Sequence, residues 1–190
     1  MKIRVRNLPR LRRQLLEMGC EEKVPRSLEQ NWTWDFPGQS LRQQGKLLRV
    51  RQFAGCGQLT FKGAAERSRH FKIREERETE VRDPAVLAVI LARLGLEVMF
   101  RYEKFRTLYT LEVSRSRHAV LVSVDETPIG NYLEIEGREA DIRRVANALG
   151  FEEGAFIKES YVALFGKSRL AKSQRDMIFP AIMKTQRSAV

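Results

Sequence analysis

The sequence is poor in the residue types that build most metal centres and covalent active sites. It contains two cysteines and two histidines in 190 residues. Cys20 and Cys56 lack the close spacing of a zinc or redox motif, and two cysteines cannot form the disulfide framework of a small secreted protein. His70 and His118 are isolated, so a histidine-based metal site or a catalytic dyad is not expected.

Long apolar segments are also missing. No apolar run approaches the roughly 20 residues that a transmembrane helix needs. The N-terminus is basic, but the apolar stretch of about 7–15 residues found in a signal peptide does not follow it. Together with the unpaired cysteines, these absences predict a cytoplasmic protein with free thiols and no membrane partner.

Positive charge is abundant. The sequence has 35 Lys and Arg residues against 24 Asp and Glu residues, which gives a formal net charge of +11. Such an excess indicates an anionic partner, and nucleic acid, an anionic membrane surface and a small polyphosphate are the candidates. Net charge does not choose among them. The choice depends on whether the basic residues form an outer patch or line an interior.

Apolar residues at helical spacing predict three helices, each ending in a glycine. The first begins after Asn7, a good N-cap residue. The second begins after Asp83 and is apolar on nearly every face, which predicts deep burial. The third follows Gly137 and has one apolar side. The closing glycines are Gly19, Gly95 and Gly150.

Most of the remaining chain alternates apolar and polar residues, which predicts short strands in antiparallel pairs. The segment 22–46 is polar and irregular, and we expect it to hold a loop or an edge strand. The apolar patch at 177–183 predicts a short flanking helix. The predicted strands are 1–6, 47–53, 57–63, 71–81, 98–106, 108–114, 119–125 and 131–137.

Charged side chains are sorted onto one face of these strands. Glu134 and Glu136 point to one face, while Leu133 and Ile135 point to the other. Two adjacent carboxylates repel each other unless water, a cation or basic side chains neutralise them. A half-buried sheet with a wet outer face would explain any single strand of this kind. Because the basic and acidic pairs are mostly sorted onto different strands, a sheet closed around a polar tunnel is favoured.

A tunnel with both signs of charge would bind a metal–polyphosphate. Arginine and lysine hold phosphate oxygens, whereas carboxylates hold a hard divalent cation such as Mg²⁺ or Mn²⁺. Phosphoryl transfer depends on positioning and charge neutralisation more than on a protein nucleophile. The side chains that share a face are Lys2 with Arg4, Arg49 with Arg51, Thr60 with Lys62, Arg74 with Glu76 and Glu78, and Lys104 with Arg106.

Seven short segments follow one another in a specific order, although each is weak alone. They are 49-RVR-51, TFKG around Lys62, 74-REERE-78, 103-EKFR-106, Asp125, 133-LEIEG-137 and 158-KESYVALF-165. Together they resemble the CYTH, or triphosphate tunnel metalloenzyme, superfamily, which includes class IV adenylyl cyclases and inorganic or thiamine triphosphatases. The similarity extends from Lys2 to about Phe165, and residues 102–137 resemble most the bacterial class IV adenylyl cyclase group.

The resemblance implies a mainly β, α+β fold. Residues 1–166 would form a closed eight-stranded antiparallel barrel with helices outside, and residues 167–190 a basic tail or flanking helix. Basic residues would grip a triphosphate, with Lys62, Lys104 and Arg106 as the catalytic ones, and acidic residues would hold Mg²⁺ or Mn²⁺. The implied basic set is Lys2, Arg49, Arg51, Lys62, Arg74, Lys104, Arg106 and Lys158, and the implied acidic set is Glu76, Glu78, Asp125, Glu134 and Glu136.

The sequence departs from the family pattern at its start. The first strand of the family carries Glu-x-Glu-x-Lys, and Lys2 fits the lysine, but both glutamates would precede Met1. One hypothesis is that Met1 is an internal methionine of a slightly longer protein. In-frame upstream codons without Glu-x-Glu would contradict it. If the sequence is complete, one side of the metal site is missing.

These features predict a divalent-metal-dependent enzyme that hydrolyses an inorganic or organic triphosphate. One alternative is a class IV adenylyl cyclase that converts ATP to cyclic AMP and pyrophosphate, and a second is a non-catalytic triphosphate or polyphosphate binder. Nucleic acid is not the expected partner, because exposed aromatic stacking motifs are not apparent. RNA binding would instead depend on outer residues such as Lys167, Arg169 and Lys172. The expected partner is a small triphosphate or nucleotide, and the expected assembly is a monomer or homodimer.

Overall fold

A computed structural model describes residues 1–65, 74–112 and 119–180 of the chain. Its helices are α1 (Leu8–Glu17), α2 (Ser40–Gln43), α3 (Pro84–Arg93), α4 (Glu139–Ala148) and α5 (Tyr161–Gly166). Its strands are β1 (Lys2–Val5), β2 (Glu21–Asp35), β3 (Leu47–Phe53), β4 (Cys56–Lys62), β5 (Glu76–Val81), β6 (Glu97–Leu111), β7 (Val120–Thr127), β8 (Gly130–Glu136) and β9 (Phe156–Ile157). The strands form one antiparallel sheet in the order β5-β4-β3-β2-β6-β7-β8-β1-β9.

The predicted mainly β fold with a large antiparallel sheet is confirmed, but the predicted closed barrel of eight strands is wrong. The sheet has nine strands, and no hydrogen-bonded ladder in the described ranges joins β5 to β9. The ninth strand contains two residues and pairs with β1 through Lys2–Ile157 and Ile3–Phe156. This short strand therefore ends the sheet at that edge instead of continuing it to β5.

The segment predicted as a loop or edge strand contains an interior strand of the sheet. Strand β2 is 15 residues long and pairs with β3 on one side and β6 on the other. The polar residues of this strand suggested a solvated segment, but Glu29, Asn31 and Thr33 are buried. Pro25 lies within the register shift between Val24 and Ser27, where an irregular ladder tolerates a missing N–H.

The predicted strands at 98–106 and 108–114 are one continuous strand, β6, which pairs with β2 and then with β7. The remaining predicted strands appear as β1, β3, β4, β5, β7 and β8. Residues 71–73 and 113–114 of the predicted strands lie outside the described residues, as do His70 and His118.

Helices α1 and α4 cover the outer face of β1, β7 and β8. The side chain of Asn7 caps α1 as predicted, because its Oδ1 accepts a hydrogen bond from Arg10 N at 2.9 Å. Gly19 follows the helix with φ of +81°, which favours glycine. The core between the helices and the sheet consists of Leu11 and Leu15 from α1, Ile142, Val145 and Ala146 from α4, and Ile3, Val122, Val124, Leu133 and Ile135 from the strands.

The predicted deep burial of the second helix is wrong. Leu91 is the buried residue of α3, and it packs with Trp34 and Val50 from the sheet. The opposite side of the helix is apolar yet exposed, because no described element covers it. The large apolar residues exposed there are Val86, Val89 and Ile90 of α3 and Leu94 directly after it. None of the helices in the described ranges has the length and apolar character to span a membrane.

The C-terminal segment continues the sheet past the end of β7. Met177 N donates to Arg101 O at 2.9 Å, and Met177 O accepts from Glu103 N at 2.8 Å. Met177 is buried against Phe100 and Tyr102. The predicted flanking helix is therefore wrong for residues 177–180, which are not helical. Residues 181–183 lie outside the described part of the chain. The proposed boundary at residue 166 stays a prediction.

Candidate functional site

The sheet wraps around a cavity of about 640 Å³. The structure brings twelve of the predicted site residues together in its lining, whereas Asp125 is fully buried behind it. The roles assigned to these residues from the sequence stay predictions. The twelve lining residues are Lys2, Arg49, Arg51, Lys62, Arg74, Glu76, Glu78, Lys104, Arg106, Glu134, Glu136 and Lys158.

The period of two in the sequence places the charges inside the cavity. In β3, Arg49 and Arg51 face the cavity, while Val50 between them packs outside against α3. In β8, Glu134 and Glu136 face the cavity, while their apolar neighbours lie in the core under α1 and α4. The outer helices thus fix which face of each strand is turned inward.

Asp125 organises the floor of the cavity. Its Oδ1 accepts a hydrogen bond from Arg106 Nε at 2.7 Å. Its Oδ2 accepts from Arg106 Nη2 at 2.8 Å, from Lys104 Nζ at 3.0 Å and from the Tyr161 hydroxyl at 2.7 Å. This carboxylate therefore occupies one edge of the Arg106 fork, and Arg106 is held by the protein rather than presented openly to a ligand.

Glu134 extends the same charged cluster towards β1. Its Oε1 lies 3.0 Å from Lys2 Nζ, and its Oε2 lies 3.7 Å from Lys104 Nζ and contacts Arg106. Burial opposes ionisation of this carboxyl, but the three cations outweigh it and hold the pKa of Glu134 well below its usual range. Glu134 is thus an internal counterion as well as part of the lining.

Two members of the cluster were missed from the sequence. Glu29 of β2 is fully buried, with Oε1 at 3.3 Å from Lys104 Nζ and Oε2 at 3.5 Å from Arg106 Nη1. The ring centroid of Tyr161, on α5, lies 4.2 Å from Lys2 Nζ and 5.0 Å from Lys104 Nζ, so both ammonium groups contact the ring. The alternation of Glu29, Asn31 and Thr33 with bulky neighbours was the signal for an inward polar face on β2.

Protonation of Glu29 at acidic pH should lower the stability of the folded protein. Burial opposes its charge, but Lys104, Arg106 and Arg51 outweigh burial and lower the pKa of Glu29 from 4.5 to about 2. Because the pKa of Glu29 is lowered in the folded state, its ionised carboxylate stabilises the folded protein above pH 4.5. This stabilisation is lost as the pH falls towards 2. The expected loss is about 3 kcal/mol of unfolding free energy. Urea denaturation across this range should show a weaker acid dependence for Glu29→Gln; equal dependence would contradict the assignment.

The opposite side of the cavity is formed by β3, β4 and β5. Arg49 donates to Thr60 Oγ1 at 3.2 Å and to the Tyr102 hydroxyl at 3.4 Å. Glu76 pairs with Lys62 Nζ at 2.6 Å and with Arg74 Nε at 3.3 Å. Glu78 accepts a hydrogen bond from Thr60 at 2.9 Å. These carboxylates are more exposed than those of the floor, so the cations beside them are the more accessible ones.

The five predicted metal ligands do not form one cluster. In the described ranges there is no group of three or more His, Cys, Asp or Glu residues able to hold a metal ion. Glu76 and Glu78 lie among the cations of β3 to β5, and Asp125 is enclosed by the floor. Glu134 and the exposed Glu136 remain as adjacent carboxylates in the lining. They fit Mg²⁺ or Mn²⁺ when the ion takes its other ligands from phosphate oxygens and water.

The charges of the cavity balance in number. Eight cationic side chains line it together with six carboxylates, and Glu29 and Asp125 are buried directly behind. Among the described residues, the side chains of the cavity and the two carboxylates behind it therefore carry no formal net charge. The lining carboxylates are Glu76, Glu78, Glu134, Glu136, Glu139 and Glu159.

The structure is an antiparallel sheet curved around a cavity that is lined by paired cations and carboxylates. Residues 1–161 match the CYTH domain family, and the chain therefore belongs to it. This confirms the resemblance in the sequence. None of the curated proteins matches the chain.

Solved structures share the fold. A Vibrio parahaemolyticus protein described as a candidate adenylate cyclase is 21% identical, with a TM-score of 0.73 over 87% of this chain and 95% of its own. A Pyrococcus horikoshii protein is 25% identical, with a TM-score of 0.70 over 86% and 96%. A candidate adenylyl cyclase from Hippeastrum, whose dominant activity is that of a triphosphatase, is 16% identical, with a TM-score of 0.63 over 88% and 94%.

Proposed function

We propose that this protein hydrolyses the terminal phosphoanhydride of an inorganic or organic triphosphate. The observation that carries the proposal is the convergence of eight lysine and arginine side chains on one cavity. Among the residues that the structure describes, the lining contains no cysteine or histidine that could act as a nucleophile or as its base. This composition suits phosphoryl transfer, in which positioning and charge neutralisation dominate.

The cations divide into two groups with different tasks. Arg49, Arg51, Lys62 and Arg74 line the more accessible side and would bind the phosphate oxygens. Lys104 is 3% exposed and fixed by the floor, so it would present a point charge to the substrate without having to reorganise. A water molecule would attack the terminal phosphorus, releasing orthophosphate.

A divalent cation would be held by Glu134 and Glu136 on β8. When bound, it would neutralise phosphate oxygens and orient them against the protein cations. The two carboxylates are adjacent on one strand and face the cavity. Glu136 forms no ion pair with any residue that the structure describes, so it is the better available ligand.

Product analysis tests the proposal. Purified protein is incubated with inorganic triphosphate and with ATP, each with Mg²⁺, with Mn²⁺ or with chelator, and the products are separated by chromatography. Metal-dependent release of orthophosphate is the expected result. If neither substrate is turned over with any metal, the enzymatic proposal is wrong, and calorimetry with inorganic triphosphate then shows whether the cavity is a non-catalytic binder.

Formation of cyclic AMP is the second candidate function. It is favoured by apolar side chains in the same lining, including Phe53, Leu108 and Leu121, which offer a surface for a nucleobase. In this reaction the ribose 3′-hydroxyl attacks the α-phosphorus and pyrophosphate leaves. Cyclic AMP and pyrophosphate in the ATP incubations, without orthophosphate from inorganic triphosphate, would favour the cyclase.

The metal requirement should depend on Glu136. The Glu136→Gln variant is expected to need at least about tenfold more metal for half-maximal activity, since loss of even an indirect metal contact costs tenfold or more. Its stability should change little because the side chain is exposed. Activity titrations with Mg²⁺ check this, with Glu139→Gln, another carboxylate of the lining, as the control. An unchanged titration for Glu136→Gln would remove this residue from the metal site.

A further inference from the structure

Glu29 is a buried carboxylate that the proposed reaction does not use. It is fully enclosed and is not part of the cavity lining. It lies on β2, an interior strand of the sheet, and its register partners are Lys104 on β6 and Phe53 on β3. Substrate in the cavity would meet the cations in front of Glu29 but not Glu29 itself.

The contacts of Glu29 are unequal. Its Oε1 accepts a hydrogen bond from Asn31 Nδ2 at 3.0 Å. Its Oε2 lies 3.5 Å from Arg106 Nη1 and 3.8 Å from Arg51 Nη1, but accepts no hydrogen bond from the described residues. Buried carboxylate oxygens are ordinarily hydrogen-bonded. Its charge therefore acts on the two guanidinium groups across a gap, without fixing them by hydrogen bonds.

Glu29 also increases the number of carboxylates that compete for the floor cations. Lys104 lies within ion-pair distance of Glu29, Asp125 and Glu134. Arg106 faces the same three carboxylates. Each phosphate that approaches the floor must therefore compete with negative charge already in place. Of the three, Glu29 has an oxygen that accepts no hydrogen bond from the described residues.

We propose that Glu29 is a positioning residue that limits the affinity of the cavity for phosphate by acting as a permanent counterion behind Lys104, Arg106 and Arg51. This inference rests on the proposed function. Its physical reason is that a fixed negative charge near the binding cations lowers the potential that a phosphate experiences. Moderate affinity would allow the products to leave, so Glu29 favours release over retention.

The Glu29→Gln variant tests this directly. The amide keeps the size of the side chain and removes its charge, so inorganic triphosphate should bind on the order of tenfold more tightly. If the protein turns over triphosphate, KM should fall, and kcat should fall with it where product release limits the rate. Calorimetry with inorganic triphosphate at fixed ionic strength measures the affinity, and steady-state kinetics measures the split between KM and kcat.

Glu126→Gln is the matched control. Glu126 pairs with Arg12 at 2.9 Å and Arg26 at 2.7 Å, next to Asp125 in sequence but on the other face of β7. The Glu126→Gln variant changes the net charge of the protein equally, and its affinity for triphosphate should stay within about twofold of wild type because Glu126 lies on the face of β7 that is turned away from the cavity. Equal tightening in both variants would overturn the proposal, since the effect would then be one of overall charge.

The remaining outcomes are also decisive. If wild type binds triphosphate and Glu29→Gln binds no tighter, this inference is wrong while the proposed function stands. If wild type binds no triphosphate, both fail. A destabilised Glu29→Gln protein should gain more thermal stability from triphosphate than wild type does, because stabilisation rises with affinity. A variant that does not fold even with saturating triphosphate would overturn the proposal, since phosphate could then not take the place of Glu29.

Discussion

Replacement of Asp125 by asparagine is expected to lower the free energy of unfolding by about 3–5 kcal/mol. The carboxylate is completely buried and accepts hydrogen bonds from Lys104, Arg106 and Tyr161. The asparagine amide carries no charge, so Lys104 and Arg106 lose part of the negative charge that compensates them. Its NH₂ group would also face the N–H and O–H donors that now donate to the carboxylate. Urea denaturation followed by the fluorescence of Trp32 and Trp34 on β2 measures the change.

An exposed ion pair provides the control for this substitution. Glu21 and Lys23 lie 2.6 Å apart, with side chains 70% and 45% exposed. Glu21→Gln should cost less than about 1 kcal/mol, because exposed pairs contribute little. If Asp125→Asn cost no more than Glu21→Gln, the floor would not be the rigid base of the cavity that its hydrogen bonds indicate.

Removal of two arginines from β3 should have the largest effect on ligand binding. The double variant Arg49→Met, Arg51→Met is expected to weaken binding of inorganic triphosphate at least about 100-fold, since each charge-assisted hydrogen bond contributes about 1.5–3 kcal/mol. Both residues line the cavity, and their side chains are 12% and 21% exposed. Methionine keeps much of their apolar volume. Calorimetry at fixed salt measures the loss.

The matched variant removes two arginines that are more exposed. Arg77 and Arg101 have side chains that are 78% and 60% exposed, and each pairs with an acidic residue, Glu75 and Asp176 respectively. Arg77→Met, Arg101→Met carries the same change of net charge and should leave triphosphate binding within a few-fold of wild type. A comparable loss in both double variants would show that triphosphate binds diffusely to the outer surface, as a nucleic acid would.

The sequence allowed the site to be predicted better than the path of the sheet. Strict alternation in β3 and β8 assigned Arg49, Arg51, Glu134 and Glu136 to one face, and the structure places them in one cavity. Alternation is a local property that follows from strand geometry. The orientation of these side chains could accordingly be predicted from the sequence, whereas their roles stay predictions.

Other features depended on contacts between distant segments. Strand β2 contains Pro25 and many polar residues, so its interior position became visible only through pairing with both β3 and β6. Glu29 was missed for the same reason, because a carboxylate in a polar segment looks solvated until neighbouring strands enclose it. Exposure of α3 was missed because an apolar helix predicts burial, whereas the sheet covers one side of it.

The edge of the sheet at β5 has a consequence for solubility. In the described part of the chain this strand has a partner, β4, on one side, and unpaired strand edges are templates for aggregation. If two copies of β5 paired antiparallel about Glu78, Glu76 would oppose Glu80 and Glu78 would oppose its own counterpart. Like charges placed opposite each other disfavour such a ladder. The glutamates of this strand therefore protect its exposed edge from joining another molecule, in addition to their place beside the cavity.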